Sequence, residues 1–364
     1  MEIPCFKEIR PSDRKEMEKA AKRWANIAKP IYGLGKLEDA VIKIAGISGA
    51  ESVRADKPAL VVMCGDHGVV AEGVTQTGME VTALVTANFE KGKTSASIMA
   101  EVCGADVFAV DIGINGDFCY GHELLPGKVC GRKIAKGSNN IAVTDAMDFD
   151  NCIKAVMCGI DIAGELKSRG YNVIAAGEMG IGNTTSASAI AAVLLHKSAS
   201  ETTGKGAGLS NPVFLKKIET VNRIIGRFRK NYGDNFNGLD VLKSVGGYDI
   251  AGMAGLFLGG GIHKIPVVAD GFISAAAAMC AVNINPAVKD YMFASHISKE
   301  PFGNEILSHI GLEPYIDCGM GLGEGTGALA AIPLFNMAAE VYNKMITFGD
   351  LDMESYVDYE GERK

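Results

Sequence analysis

Two hydrophobic patterns divide this chain. Residues 13–28 set Met17, Ala20, Ala21, Trp24 and Ile27 at helical spacing among charges, which predicts an amphipathic helix stopped at Lys29-Pro30. GKLEDAVIKIAGI, residues 35–47, predicts a second helix with Leu37, Ala40, Val41 and Ile44 on one face. The pattern then changes to short unbroken apolar runs ending in glycines and polar residues: ALVVMCGDHG (59–68), ADVFAVDIGING (105–116), NVIAAGEMGIGN (172–183) and IPVVADGFIS (265–274). Strands buried on both faces read this way. Helical segments follow them, over 79–91 and 94–103, near 145–168, over 184–196 and over 274–282. This alternation predicts an α/β fold: a large doubly wound catalytic domain with a mainly parallel sheet, residues 51–334, and a small helical domain from 1–50 and 335–364. The segment 333–347 carries Leu334, Met337, Ala338, Val341, Tyr342 and Met345 at helical spacing and is expected to pair with the N-terminal helices; the closing VDYEGERK is expected to fray. Ligands of such sheets bind beyond the carboxyl ends of the strands, so Asp66-His67, Asp111, Glu178 and Asp270 are expected on one rim.

Composition narrows the classes. The 364 residues, 48% apolar and 22% charged, suit a soluble globular protein with a sizeable core. A net charge of −7 without any Lys/Arg run argues against a nucleic-acid partner. Nine cysteines lie scattered with no Cys-x-x-Cys pair, so reduced thiols in the cytoplasm are expected rather than a zinc knuckle or a disulfide framework. The first 24 residues are charged throughout, unlike a signal peptide. The most apolar region, 250–282, is broken by His263, Lys264 and Asp270 and falls short of a membrane span.

Candidate chemistry concentrates in glycine-rich stretches. GMGLGEGTGALAA (319–331) sets Glu324 among glycines 319, 321, 323, 325 and 327. Its spacing fails the dinucleotide fingerprint, so it reads as a loop that lets a ligand approach the backbone around one acid. GEMGIGNTTSASAIAAVLL (177–195) bares the backbone at Gly180 and Gly182 just before Asn183-Thr184-Thr185-Ser186, natural caps of an apolar helix. Such a helix start suits a phosphate; an ordinary strand-to-helix turn fits the local sequence equally well. TGKGAGLSNPVFLKK (203–217) adds a second glycine-rich loop with Lys205, Lys216 and Lys217, for which a solvated helix face is the simpler local reading. Asp66-His67 lacks further ligands for a metal, and no Gly-x-Ser-x-Gly elbow supports a hydrolase triad. ASHISKEPFG (294–303) offers Ser295, His296 and Ser298 for phosphate or ribose, or as a helix cap.

GDHGVVAEGV, GEMGIGNTTSAS, GGYDIAGMAGL, DGFISAAAA, ASHIS and GLGEGTGALAAIPL occur in this order between residues 65 and 334, within a similarity that spans roughly residues 29–345. Together they resemble the nicotinate-nucleotide:dimethylbenzimidazole phosphoribosyltransferase family of cobamide assembly. The resemblance implies transfer of 5-phosphoribose from nicotinate mononucleotide to an aromatic base, with inversion to an α-riboside and release of nicotinate. It places the catalytic base at Glu324. It puts the phosphoribosyl group against Glu178, Met179, Gly180, Gly182, Asn183, Thr184, Gly204, Gly206, Lys217, Asp270 and Ser295, and the incoming base against Thr77, Gly78, Met79, Leu322 and Gly323. No cofactor or metal is implied, because the pyridinium leaves as neutral nicotinate. One departure stands out: where the family usually reads Ser, Ala, an aromatic, Pro, Gln, Glu, Val, Thr, this chain reads Thr75 to Thr82 as TQTGMEVT. Some relatives use phenol or p-cresol and work as two unlike subunits. The changed 75–82 segment is expected to broaden the acceptor range, so the resemblance allows a benzimidazole-using homodimer, a phenol- or p-cresol-using subunit of a heterodimer with a related chain, or a non-catalytic partner subunit.

Overall fold

The computed structural model describes residues 4–359; Met1–Ile3 and the last five residues of the closing VDYEGERK lie outside them. Six strands form one sheet: β1 Pro58–Gly65, β2 Asp106–Gly113, β3 Val129–Gly131, β4 Val173–Met179, β5 Val267–Ala269 and β6 Met292–Ala294. Their order is β3-β2-β1-β4-β5-β6 and every pairing is parallel. This is the doubly wound arrangement expected, with the order reversing between β1 and β4, where such sheets open a ligand crevice. All eight residues of β1 are buried, as a central strand covered on both faces requires.

The four long apolar runs became β1, β2, β4 and β5, but the fourth is only three residues long. Helices begin close to the expected places, at Glu80–Glu90, Ser95–Cys103, Phe149–Ser168, Asn183–Leu194 and Phe272–Ile284. The apolar region 250–282 is two buried helices flanking β5, the first being Tyr248–His263. That helix is buried from Tyr248 to Gly261, and Gly255 lies so close to Val156 and Gly159 of helix Phe149–Ser168 that a Cβ would collide with their backbone. Close backbone contact replaces the amphipathic stripe. No helix among the described residues is long and apolar enough to cross a membrane.

Both ends of the chain meet on the same side of the molecule. Asp13 caps helix Arg14–Asn26 through Lys15 N at 2.8 Å, and the helix buries Ala20 and Trp24. The Trp24 ring meets Tyr342 edge-on at 5.3 Å, and Arg23 Nε donates to Tyr342 O at 2.8 Å. Tyr342 belongs to helix Thr326–Lys344, which begins seven residues earlier than the spacing of 333–347 suggested and carries Pro333 inside it. Starting directly after Gly325 makes this helix the continuation of the Glu324 loop. It links the glycine-rich loop to the terminal helices.

Candidate active site

Beyond the carboxyl ends of β4, β5 and β6 lies a cavity whose wall includes Glu178–Ile181, Asn183, Thr184, Gly206, Asp270–Ser274, His296, Ser298, Glu300 and Gly321–Glu324. Glu178, Asp270 and Glu324 therefore share one space. Asp111 does not join them: at the end of β2 it pairs with Lys133 Nζ at 3.2 Å and accepts from Ile114 N at 2.9 Å. Asp66 accepts from Asn115 N at 2.7 Å, and His67 is buried behind the cavity wall. The expected rim of four acids reduces to two, because the ends of β1 and β2 are covered by the 113–138 loop and by helix Tyr248–His263.

Glu324 sits in a left-handed run, with φ of 90° at Gly323, 60° at Glu324 and 85° at Gly325. A non-glycine residue in that region costs roughly 1–3 kcal/mol and persists where the surroundings fix it, often at functional sites. Its Oε2 accepts from Ala96 N at 3.2 Å, in the first turn of helix Ser95–Cys103. The sequence held no sign of this partner, since a backbone donor has no side-chain signature. Partial burial raises the Glu324 pKa; the Ala96 bond opposes this and the Asp270 charge adds to it. A group with a raised pKa keeps its proton to higher pH, so the basic form is lost earlier as pH falls. If Glu324 is the base, the acidic limb of kcat lies above the usual glutamate value of about 4.3, which a pH–rate profile measures.

Gly182 (φ 99°) opens helix Asn183–Leu194, whose Asn183 and Thr184 line the cavity, while Gly182 and Lys217 are not among its lining residues. Lys217 reaches this helix start from helix Asn211–Tyr232, donating to Thr184 Oγ1 at 2.9 Å and Gly204 O at 3.1 Å. The side chain is 1% exposed, against the solvated-face reading for this lysine, whereas Lys216 is exposed. Burial lowers the Lys217 pKa to about 8, partly offset by Glu300. Asn183 N and Thr185 N at this start donate to Gly180 O at 3.2 Å and Gly182 O at 3.0 Å, so the positive charge beside it comes from the buried ammonium and the helix dipole, a setting that favours an anion.

Behind that wall runs a buried polar chain. Glu178 accepts from Asn183 Nδ2, which also faces Asp249 Oδ2 at 3.2 Å; Asp249 Oδ1 meets His67 Nε2 at 2.8 Å, and His67 Nδ1 meets Ser186 Oγ at 2.8 Å. Burial raises the Glu178 pKa to about 8, reinforced by the Asp249 charge and opposed by Asn183. His67 was expected on the rim, but neither Asp249 nor its pairing with His67 was legible in the sequence; the contact joins residues 182 positions apart.

The residues matched to the incoming base divide. Leu322, 56% exposed, and Gly323 line the cavity, while Thr77, Gly78 and Met79 are not among its lining residues. Their segment borders it at one remove: Gln76 donates to Gly208 O next to the Gly206 loop, and Thr82 Oγ1 accepts from Ile181 N at 3.1 Å. Gly204 and Ser295 likewise stand behind the wall, bonded to Lys217 Nζ and to Asp270 O.

An acid and a helix start lining one cavity at the carboxyl edge of a doubly wound sheet are the arrangement of an α/β enzyme site. A family model described as phosphoribosyltransferase matches residues 9–352. The chain is 41% identical over 357 residues to the nicotinate-nucleotide–dimethylbenzimidazole phosphoribosyltransferase of Acetivibrio thermocellus, covering 98% of this chain and 99% of that one. A protein of the same name from Clostridium acetobutylicum is 41% identical over 351 residues, covering 96% and 97%. The crystal structure of CobT from Thermus thermophilus superposes with a TM-score of 0.87 at 32% identity, covering 94% of this chain and 100% of that one. The chain belongs to this phosphoribosyltransferase family.

Proposed function

We propose that the protein transfers 5-phosphoribose from nicotinate mononucleotide to a benzimidazole-type base, giving an α-riboside 5′-phosphate and nicotinate. The observation that carries this reading is that Glu324 and Asn183-Thr184 of the helix start line one cavity. The 5′-phosphate sits at the helix start with Lys217 as its buried counter-charge. The base then lies along the 321–324 loop. Its ring nitrogen attacks C1′ from the face opposite nicotinate as Glu324 takes the N–H proton. The C1′–pyridinium bond breaks with its electron pair passing to the pyridine nitrogen, so the leaving group needs neither acid nor metal. A carboxyl whose pKa is raised by burial is a stronger base than a free one, and general bases of this kind contribute about 100- to 10,000-fold.

The test is incubation of the purified chain with nicotinate mononucleotide and equal concentrations of dimethylbenzimidazole and p-cresol, with products identified by mass. Dimethylbenzimidazole riboside phosphate is the expected product. A p-cresol product in excess would transfer the same chemistry to oxygen and overturn the benzimidazole assignment. A homodimer, or a heterodimer with a related chain, belongs to the same proposal, and sedimentation of the chain alone and with a relative distinguishes them.

A further inference from the structure

Asp270, one of the three acids in the cavity wall, is also engaged with the backbone of the Glu324 loop. It follows β5 and is 3% exposed. Its Oδ1 accepts from Gly327 N at 2.6 Å and its Oδ2 accepts from Gly325 N at 3.1 Å. These donors belong to the start of helix Thr326–Lys344, where N–H groups lack intrahelical acceptors and a negative charge is favoured. Asp270 is itself pinned, its N–H donating to Ser274 Oγ at 2.9 Å and its carbonyl accepting from Ser295 Oγ at 2.7 Å. His296 Nδ1 stands 3.9 Å from Oδ1, and any side chain at 327 would collide with both His296 and Asp270. Glu324 immediately precedes the clamped segment, in a left-handed conformation that a glutamate holds only when its surroundings over-determine it.

We propose that Asp270 is a positioning residue for Glu324: by holding the Gly325 and Gly327 N–H groups it fixes the left-handed run 323–325 and aims the Glu324 carboxyl into the cavity. The proposal rests on the reading of Glu324 as the base. It adds to the place beside the phosphoribosyl group that the resemblance implied, since each carboxylate oxygen accepts one loop N–H and keeps acceptor capacity toward the cavity it lines. Ser295 acts in the same direction, through the carbonyl of Asp270.

Asp270→Asn keeps the shape but offers one acceptor oxygen where two are used, and turns an NH₂ toward a backbone N–H. A misplacement of about 1 Å at a catalytic group can cost on the order of 100-fold, so kcat is expected to fall about 10- to 100-fold while KM for the nucleotide stays within about threefold. Added to Glu324→Gln, the same change should cost less than about threefold more, because residues acting through one group are not additive. Hydrogen exchange reads the clamp without turnover: the Gly325 and Gly327 amides should exchange at least about tenfold faster in Asp270→Asn, with the far end of their helix unchanged. Ser295→Ala, a smaller perturbation, should show the same signs more weakly if Asp270→Asn does not fold. A raised KM with kcat retained, multiplying losses in the double variant, or unchanged exchange would each overturn the proposal. A wild-type chain that transfers no phosphoribose to any acceptor would instead remove the functional reading, and the exchange experiment would still decide the clamp.

Discussion

Glu324→Gln should lower turnover by about 100- to 10,000-fold while leaving the fold and nucleotide binding in place. Glutamine has nearly the same shape, and its amide oxygen can still accept from Ala96 N, which now faces Glu324 Oε2 at 3.2 Å. The backbone at φ 60° is equally strained with either side chain. What the amide lacks is a site to accept the base's proton as the new C1′–N bond forms. Stability should not fall, since the substitution removes a half-buried charge that Asp270 repels. Single-turnover release of nicotinate measures the chemical step, and calorimetric titration with nicotinate mononucleotide measures binding. A variant that retains near-wild-type turnover would show that the proton leaves by another route. A companion variant, Glu324→Gly, relieves the left-handed strain, worth about 1 kcal/mol, and should be equally inactive. Loss of activity from a change that eases the backbone is the signature of strain kept for function.

How far the sequence could be read depended on whether each feature was local. β1, β2 and β4 were legible because central strands covered on both faces must be continuous apolar runs. β3 and β6 were not, being three-residue strands at the two edges of the sheet, too short to carry a period. Helix Tyr248–His263 escaped notice because it is buried all round, which erases the amphipathic signal. Glu324 stood out through its glycines. The terminal segments, expected to pair, do pack together through Trp24 and Tyr342, although a contact across that distance leaves no mark on either segment alone. Long-range partners were silent for the same reason: Ala96 on Glu324, Asp270 on Gly325 and Gly327, and Asp249 on His67. Lys217 lies between these cases. It shares a helical face with Val221, Ile224 and Phe228, at spacings of four, seven and eleven, all buried. That spacing distinguishes it from Lys216, and the local reading of both as solvated overlooked it.

The same contrast defines the other large effect. Lys217→Ala should raise KM for nicotinate mononucleotide by about 100- to 1,000-fold, because removing one partner of a buried, hydrogen-bonded charge pair costs roughly 3–5 kcal/mol. Lys216→Ala, on the exposed side of the same turn, should stay within about twofold, as surface substitutions generally do. Nicotinate riboside, which lacks the 5′-phosphate, should be a poor substrate for the wild type and indifferent to Lys217→Ala. The two substrates also separate the titration of Lys217 from that of Glu178, since both pKa values lie at about 8. The lysine's pKa is lowered by burial, so its charge is present below about pH 8 and lost above it. In the free enzyme this predicts an alkaline limb in kcat/KM for the nucleotide that is weak or missing for the riboside; a limb common to both substrates belongs to Glu178. The measurement is a pair of pH profiles on wild type and Lys217→Ala. If the riboside reacts as well as the nucleotide, or if Lys217→Ala leaves KM unchanged, the phosphate does not sit at the 182–184 helix start.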